Sequence, residues 1–344
     1  ARDRSRRNDG RHIRVSHMAT QTLTFREAII AGIADAMRED ERVILLGEDI
    51  AEAGGVFKTT EGLVDEFGEG RVRDTPISET AFVGAALGLA TTGYRPIVEI
   101  MFADFLAVCL DQIVNSIAKH KFMSGGRVNA PLVIRTACGG GVQFGAQHSQ
   151  TAESWLLPFP GLKIALPSSP AEAYGMIRAA VRDDNPVVVF EHKAMLGAKG
   201  PVNIGDDGIV DLNGPTVLRE GTDLTLVASL AMVPKAVSAA DELSQDGISA
   251  EVIDVRVLRP FEPSVIIRSV NKTGRLVVVE EQHRLGGWGA EVVASVTEDA
   301  LAGLKAAPKR VTLPDHPLPF AASLEQASIP DIAKIKDAAQ SVLQ

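Results

Sequence analysis

The sequence contains only two cysteines, Cys109 and Cys138, among its 344 residues. Two isolated cysteines exclude a disulfide framework, and they lack the paired spacing of a structural zinc site. No apolar run approaches the roughly 18 residues that a membrane-spanning helix requires. We therefore expect an intracellular protein in a reducing compartment, with no membrane partner.

Positive charge is also scarce, because 35 Lys and Arg residues stand against 44 Asp and Glu residues and give a net charge of −9. Residues 1–17 hold six of the arginines and two of the acids, so the rest of the chain carries −13. An acidic body argues against nucleic acid as the main partner. Residues 1–17 lack the apolar stretch of a secretory signal and faintly resemble an organelle transit peptide. We expect them to be an artificial extension ahead of a native start at Met18.

Common nucleotide and nucleophile motifs are missing as well. In the stretch CGGGVQFGAQHSQ (138–150) the last glycine, Gly145, comes one residue too late for the dinucleotide fingerprint G-x-G-x-x-G. A P-loop lysine, a G-x-S-x-G elbow and an H-x-x-x-H metal pair are absent. The stretch is therefore either a surface turn or a loop that carries His148 to a ligand. It follows the strand pattern APLVIRT, and ligands of α/β proteins bind at the carboxyl ends of strands, so both interpretations stay open.

Short apolar strands alternate with helices, and this order predicts an α/β fold with largely parallel sheets. Thr24 and Glu27 form a capping box ahead of the first helix. A long helix is predicted over residues 102–120. Residues 193–222 show no sustained period, which predicts a linker with one short strand. The expected organisation is the extension 1–17, a first domain over 18–195, a linker over 196–214 and a second domain over 215–344.

Glu79 stands where DTPISET (74–80) leads into a helix of small apolar residues, AFVGAALGLATTG. A first-turn glutamate is commonly only a favourable charge at the positive end of the helix dipole. A helix of this composition is expected to pack on all sides, however, so a glutamate at its start can be buried and serve proton transfer. Phe102 and Phe105 stand three residues apart on the predicted helix, and such an aromatic pair usually belongs to the core.

An ordered series of segments runs from about Thr22 to the C-terminus. They are GEDIAEAGGVFKTTEGL, RVRDTPISETAFVGAALGLA, GYRPIVEIMFADF, DQIVNSIAKHKFMSGG, GAQHSQTAESW, PGLKIALPSSPAEAYGMIRAAVRDDNPVVVFEHK, DLTLVA and VIDVRVLRPFE. In this order they resemble the β subunit of the thiamine-diphosphate-dependent decarboxylating component of 2-oxo acid dehydrogenase complexes. That family acts on pyruvate, branched-chain 2-oxo acids or acetoin. The resemblance implies an N-terminal pyrimidine-binding domain with a parallel sheet and a C-terminal α/β domain of the transketolase type.

The resemblance also implies roles for individual residues. Glu79 matches the glutamate that hydrogen-bonds a pyrimidine nitrogen of thiamine diphosphate and so activates the thiazolium carbon. Phe105 matches the position whose ring flanks the pyrimidine, and Ile77 and Met101 match neighbouring positions of the pocket. His148 matches the active-site histidine of the β chain, on the thiazolium side of the cofactor.

Part of the family's cofactor site is missing from this sequence. The diphosphate and magnesium signature, Gly-Asp-Gly with a later Asn, is absent, and GDDG at 205–208 does not match it. In two-subunit members that signature belongs to the α chain, so this chain is expected to bind only the pyrimidine half. The resemblance further implies a K⁺ site, although RDDNP also fits an ordinary turn. Its ligands would lie at Leu132, Ala180, Val181, Asp183 and Asn185.

We therefore expect the β subunit of a dehydrogenase that decarboxylates a 2-oxo acid or cleaves acetoin and passes the acyl group to a lipoyl domain. Activity is expected only with an α subunit, in an α2β2 heterotetramer on a lipoyl acyltransferase core. The compartment would be the bacterial cytoplasm or, in a eukaryote, the mitochondrial matrix. FEHK and AQHSQ favour pyruvate or acetoin as substrate. Two alternatives remain, the C-terminal half of a split transketolase and a catalytically silent scaffold subunit.

Overall fold

The computed structural model describes residues 20–344, so the expected extension at 1–17 lies outside the described residues. The strands are β1 (Thr20–Thr24), β2 (Val43–Gly47), β3 (Val72–Asp74), β4 (Arg95–Ile100), β5 (Val133–Cys138), β6 (Lys163–Ala165), β7 (Val187–His192), β8 (Lys199–Asn203), β9 (Thr216–Arg219), β10 (Leu224–Ala228), β11 (Ala250–Asp254), β12 (Val257–Arg259), β13 (Leu276–His283) and β14 (Lys309–Leu313). The α-helices are α1 (Phe25–Glu39), α2 (Leu63–Phe67), α3 (Glu79–Thr91), α4 (Ala118–Met123), α5 (Glu153–Leu156), α6 (Pro170–Arg182), α7 (Met232–Gln245), α8 (Ser264–Thr273), α9 (Gly289–Ala300), α10 (Ala322–Ser328) and α11 (Ile332–Leu343). The predicted alternation of strands and helices is confirmed.

The first domain is built on a seven-stranded sheet in the order β12-β6-β7-β5-β4-β2-β3. Neighbouring strands from β6 to β3 run parallel, while β12 pairs antiparallel with β6. The strands VILLG and VVVFEH are buried at every residue, as expected for a parallel sheet that is covered on both faces. Because β12 lies within the predicted second domain, this sheet takes one edge strand from beyond the linker.

The second domain is built on a five-stranded sheet in the order β14-β13-β10-β11-β9. Four of its strands are parallel, and β9 pairs antiparallel with β11 at one edge. The two α/β domains therefore agree with the predicted fold class, while the boundaries between them stay a prediction. No helix within residues 20–344 is long and apolar enough to cross a membrane.

The start of α1 shows the predicted capping box. The Glu27 amide donates to the Thr24 side chain at 3.1 Å, and the Thr24 amide donates to the Glu27 carboxylate at 2.7 Å. The helix then packs closely on α6, where a Cβ added to Gly32 would lie 3.0 Å from the Tyr174 carbonyl oxygen. Glycine at this position allows the two backbones to approach.

The predicted long helix over 102–120 begins later than expected. Phe102 is extended and Ala103–Ala107 form a 3₁₀ turn, so the continuous helix starts at Leu110, passes through a π-helical segment at Gln112–Ile117 and continues into α4. Asp104 explains the late start, because its carboxylate accepts hydrogen bonds from the Gln150 amide and side chain at 3.2 and 2.9 Å. A contact with a residue far along the chain thus overrides the local helical preference.

Two further expectations need correction. The segment predicted as a linker with one strand contains both β8 and β9, and β8 pairs with β1 at the other end of the domain. The small-residue helix α3 does not pack on all sides in this chain. Phe82, Val83, Ala86 and Ala90 are buried, but Ala81, Ala85 and Gly88 are exposed on the other face.

Candidate active site

Several loops meet at the carboxyl edge of the seven-stranded sheet. Strands β3, β2, β4, β5 and β7 are parallel neighbours, so their carboxyl ends lie on the same edge. The loops and turns that follow them carry Glu48, Glu79, Phe105, His148 and Lys193. This is the edge where α/β proteins bind ligands. The predicted site residues Glu79, Phe105 and His148 therefore lie on the same edge of the sheet.

Glu79 is the first residue of α3 and is 7% exposed. The preceding turn is held by the Thr75 amide, which donates to the Gly47 carbonyl at 2.9 Å. Ser78 precedes the helix without capping it, since its hydroxyl donates to the Pro76 carbonyl at 3.1 Å. The glutamate at this helix start is thus buried, as predicted, although α3 is covered on one face only.

Glu48 is a second buried acid beside Glu79, and the sequence analysis missed it. It is 7% exposed, and its Oε1 atom has no hydrogen-bond partner among the described residues. Burial raises the pKa of Glu48, and repulsion from the Glu79 carboxylate raises it further. The raised pKa lets Glu48 keep its proton at a higher pH than an exposed glutamate does. The position of Glu48 directly after a buried strand was the signal that could have identified it.

An aromatic cluster surrounds the histidine of the glycine loop. The His148 ring packs edge-on against Phe102 and Phe105, with centroid distances of 4.6 and 5.3 Å. Phe57 and Phe144 extend the cluster, at 5.4 and 5.6 Å from the Phe102 ring. The pair Phe102 and Phe105 belongs to this cluster without sharing a regular helix. Because Phe105 is only half-buried, its ring has a free side against which a flat heterocycle can pack.

Cys109 connects the aromatic cluster with the buried acids. Its thiol donates to the Phe105 carbonyl oxygen at a sulfur–oxygen distance of 3.7 Å. Burial and the nearby Glu79 carboxylate raise the pKa of this thiol to about 12, so it is neutral and unreactive at physiological pH. The contact places Glu79 and Phe105 on adjoining parts of the same site.

The glycine loop is closed at its base by the Gly139 amide, which donates to the Gln150 carbonyl at 3.1 Å. Gly139 has a φ of 82°, and a Cβ there would fall 2.0 Å from Nε2 of His192. Only glycine fits both the backbone conformation and the space. Of the two interpretations of CGGGVQFGAQHSQ, the structure favours a loop that carries the half-buried His148 to the carboxyl edge over a surface turn.

Lys193 binds the backbone of His148. It follows β7 and donates from Nζ to the His148 carbonyl oxygen at 2.8 Å. The ammonium group also lies 5.6 Å from the centre of the Phe102 ring. Lys193 is 4% exposed, and burial lowers its pKa against the opposing effect of nearby acids. Lys193 is not among the site residues predicted from the sequence, although its place directly after β7 was a signal that could have identified it.

Ile77 and Met101 are placed differently from the other predicted residues. Ile77 lies in the turn before α3 and is 86% exposed. Met101 is half-buried at the end of β4, beside a small cavity that Arg135 also lines. The fully buried Arg135 there pairs with Glu191 at 2.6 Å and with Glu99. The roles of Ile77 and Met101 in a cofactor pocket remain predictions.

The residues predicted to bind K⁺ lie just before β5, in the last turn of α6 and between α6 and β7, at the opposite, amino edge of the sheet. Arg95 already donates to two of their carbonyl oxygens, those of Val181 at 2.9 Å and Asp183 at 3.1 Å. The Asp183 carboxylate accepts from Lys163 and from the Asn185 amide, the latter at 2.8 Å. Burial alone raises the pKa of Asp183, but these hydrogen bonds outweigh it and lower the pKa. Two side-chain cations therefore already contact this group.

Comparison with protein families divides the chain in two. The transketolase pyrimidine-binding domain family matches residues 21–199, and the transketolase C-terminal domain family matches residues 215–335. The chain is also similar to a split-gene transketolase, described as an inactive β4 tetramer. The two structures share a TM-score of 0.74 and 25% identity over 93% of this chain and 98% of that one.

Curated relatives are more similar in sequence. The pyruvate dehydrogenase E1 component subunit beta of Rhizobium meliloti is 41% identical, over 93% of this chain and 70% of the relative. Its Bacillus subtilis counterpart is 39% identical, over 94% of this chain and 99% of the relative. The acetoin:2,6-dichlorophenolindophenol oxidoreductase subunit beta of Bacillus subtilis is 41% identical, over 92% of this chain and 95% of the relative.

Proposed function

Because the chain belongs to the family of pyruvate and acetoin dehydrogenase β subunits, we propose that it is the β subunit of a thiamine-diphosphate-dependent 2-oxo acid or acetoin dehydrogenase. In this proposal the enzyme decarboxylates a 2-oxo acid or cleaves acetoin and passes the acyl group to a lipoyl domain. The observation that carries it is the meeting of Glu79, Phe105 and His148 at one sheet edge, in a chain similar to these relatives over more than nine-tenths of its length.

The alternative of a split transketolase is supported less well. The solved split-gene transketolase is 25% identical to the chain, whereas the dehydrogenase β subunits are 39–41% identical. The alternative of a silent scaffold does not account for the buried carboxyl pair Glu48 and Glu79 at a ligand-binding edge. A group buried at such a cost to its ionised form calls for a functional reason.

The residues at the carboxyl edge fit the pyrimidine half of thiamine diphosphate. The cofactor, when bound, supplies a carbon nucleophile and an electron sink for cleavage next to a carbonyl group. Phe105 is a half-buried residue against which the pyrimidine ring can pack. Glu48 is close enough to Glu79 for the two charges to repel, and its Oε1 atom has no hydrogen-bond partner among the described residues. Glu79 would hold a proton at one carboxyl oxygen and exchange it with a ring nitrogen.

His148 would act on the other side of the reacting centre. The imidazole is held by Phe102 and Phe105 at its edges and by Lys193 at its backbone, so its ring nitrogens have a fixed direction. A fixed imidazole can donate or accept a hydrogen bond at the substrate or at the lipoyl acceptor. The buried Phe102 ring beside the imidazole would help to exclude water from that contact.

An α subunit would complete the site. The sequence lacks the diphosphate signature, and Asp206 of the GDDG segment is bound to Arg182 at 2.7 Å. The diphosphate and Mg²⁺ would therefore be held by the α chain, and the chain would be active only in an α2β2 heterotetramer. The exposed small-residue face of α3 and the 86% exposed Ile77 are surfaces that such a partner can cover. A lipoyl acyltransferase core is the expected acceptor, in the bacterial cytoplasm or the mitochondrial matrix.

The proposal also includes a K⁺ site at the amino edge of the sheet. Leu132 lies just before β5, Ala180 and Val181 lie in the last turn of α6, and Asp183 and Asn185 lie in the turn before β7. The carbonyl oxygens of Val181 and Asp183 already accept hydrogen bonds from Arg95. A carbonyl oxygen has two lone pairs, so each could bind an ion only through its second lone pair. No step of the proposed chemistry passes through this ion.

Reconstitution tests the proposed function. The chain is co-expressed with a candidate α subunit and assayed with pyruvate, branched-chain 2-oxo acids and acetoin, using first an artificial electron acceptor and then a lipoyl domain. We expect turnover of at least one of these substrates by the pair and none by the chain alone. Transfer of a ketol group between sugar phosphates by the pair, without 2-oxo acid turnover, would instead support the split transketolase.

A further inference from the structure

Two carboxylates of the second domain bind the backbone of the glycine loop. Glu281, at the end of β13, accepts a hydrogen bond from the Gly140 amide at 2.7 Å. Glu325, on α10, accepts from the Gly141 amide at 2.9 Å and from the Gln143 amide at 3.1 Å. Both carboxylates lie more than 140 positions away along the chain, so the loop of one domain is held by the other.

Both carboxylates are buried and committed to this contact. Glu325 is 1% exposed, and the glycine-loop amides are its side chain's hydrogen-bond donors in the described structure. Glu281 is 5% exposed and divides its oxygens between Gly140 and His192, whose Nε2 lies 3.1 Å away. Burial raises the pKa of Glu281, but His192 and the Gly140 amide outweigh burial and lower it, so the group is a carboxylate at neutral pH.

The second domain also fixes the far end of the loop. Gln282, next to Glu281, donates from its side chain to the Thr151 carbonyl at 2.7 Å. Leu318 packs directly against Gly140, since a Cβ added to this glycine would lie 2.6 Å from the Cδ1 atom of Leu318. Contacts from the second domain thus bracket His148, which lies between the amides at 140–143 and Thr151.

We propose that Glu325, together with Glu281, is a positioning residue that sets the place of His148 through the backbone of the glycine loop. This inference rests on the proposed function for the role of His148 in turnover. The hydrogen bonds themselves concern this chain alone. Among the described residues, the hydrogen bonds of these two side chains run to the glycine-loop amides and, from Glu281, to His192, so each is expected to act through the loop rather than on a reacting atom.

Amide hydrogen exchange of the full chain tests the contact directly. Glu325→Ala removes the acceptor of the Gly141 and Gln143 amides, so the segment 139–147 should exchange about tenfold faster, as expected for the loss of charged hydrogen bonds. Glu325→Gln keeps one acceptor oxygen and should fall between wild type and Glu325→Ala. In the complex with an α subunit, kcat should fall from wild type to Glu325→Gln and again to Glu325→Ala, while the substrate KM changes little.

Glu280→Ala is the matched control. Glu280 is also buried in the second domain and accepts a backbone hydrogen bond, but from Gly289 at the start of α9, at 2.8 Å. This variant should lose stability without faster exchange in 139–147. Equal exchange of that segment in Glu325→Ala and wild type would overturn the inference, as would equal acceleration in Glu280→Ala.

A second variant keeps the inference testable if Glu325→Ala does not fold. The Glu325→Gln nitrogen cannot accept a hydrogen bond. Either the Gly141 amide loses its contact at 2.9 Å, or the Gln143 amide keeps only its longer contact at 3.3 Å, so one amide should exchange faster in both cases. Exchange and turnover both equal to wild type in Glu325→Gln would then overturn the inference. If the wild-type complex proved inactive, the proposed function would fail, while the exchange data would still decide whether Glu325 positions the loop.

Discussion

The two edges of the seven-stranded sheet differ in how their polar groups are satisfied. At the amino edge, Asp183 and its neighbouring carbonyls are bound by Arg95 and Lys163. At the carboxyl edge, one buried oxygen of Glu48 has no hydrogen-bond partner within residues 20–344, and the charge of the nearby Glu79 acts on the same group. Buried polar atoms are nearly always paired, so an unpaired oxygen calls for an explanation. The amino edge thus has the pattern of a structural edge, and the carboxyl edge has the pattern expected where a ligand binds.

The largest effect is expected at the carboxyl edge, from Glu79→Gln. Glutamine has nearly the same shape, so the fold should persist, but an amide cannot exchange the proton that a carboxyl group holds. Turnover of the complex should fall by roughly 10²–10⁴-fold. Steady-state assays of the reconstituted pair measure this, with the exposed Glu298→Gln as control. Near-normal turnover would reduce Glu79 to a helix-start residue with no catalytic role.

A somewhat smaller loss is expected for His148→Ala. The imidazole is proposed to act on the substrate or the acceptor, so turnover should fall by roughly 10²-fold while cofactor binding and exchange of the thiazolium C2 proton stay close to wild type. Comparing an artificial acceptor with a lipoyl domain identifies the step that suffers. The exposed His316→Ala is the control. Slow C2 exchange in His148→Ala would move this residue into cofactor activation and contradict the assigned role.

The amino edge should respond in stability rather than in turnover. Asp183→Asn removes the partner of Lys163 and should lower the free energy of unfolding by about 1 kcal/mol at neutral pH. Because the folded pKa of Asp183 is lowered, its contribution is present above the unfolded pKa of about 3.9 and is lost as the pH falls through the folded value. Denaturant titrations between pH 7 and pH 3 check this.

The control for this edge is Asp184→Asn at the neighbouring position. Asp184 forms an ion pair with Arg95, but the Asp184 side chain is 55% exposed. It should cost less than Asp183→Asn. A large loss of kcat in Asp183→Asn, with normal stability, would contradict the assignment of a purely structural role to the amino edge.

The smallest effect is expected from the cation itself. If K⁺ shares the carbonyls with Arg95, replacing tetramethylammonium chloride by KCl should stabilise the chain by about 1 kcal/mol or less, as mass action predicts for a weakly held ion. Thermal unfolding at constant ionic strength measures this. The increment should disappear in Asp183→Asn. An equal response to both salts would remove K⁺ from the account and leave Arg95 and Lys163 as the cations of this edge.

The sequence predicted the α/β fold, the start of α3 at Glu79 and the loop that carries His148, because each depends on local pattern and on a general rule about strand ends. The same rule could have identified Glu48 and Lys193, which directly follow β2 and β7. Glu281 and Glu325 had no local signal, since their partners lie more than 140 positions away. The late start of the predicted helix, at Leu110 instead of Phe102, was missed for the same reason, because Gln150 holds Asp104 from a distant loop.

Thiamine diphosphate binding tests most directly the claim that the carboxyl edge is half of a cofactor site. Isothermal titration with Mg²⁺ is performed on the chain alone, on the α subunit alone and on the complex, with Glu79→Ala in the complex as control. The account predicts tight binding only by the complex and weaker binding when Glu79 is changed. Tight, magnesium-dependent binding by the isolated chain would contradict it.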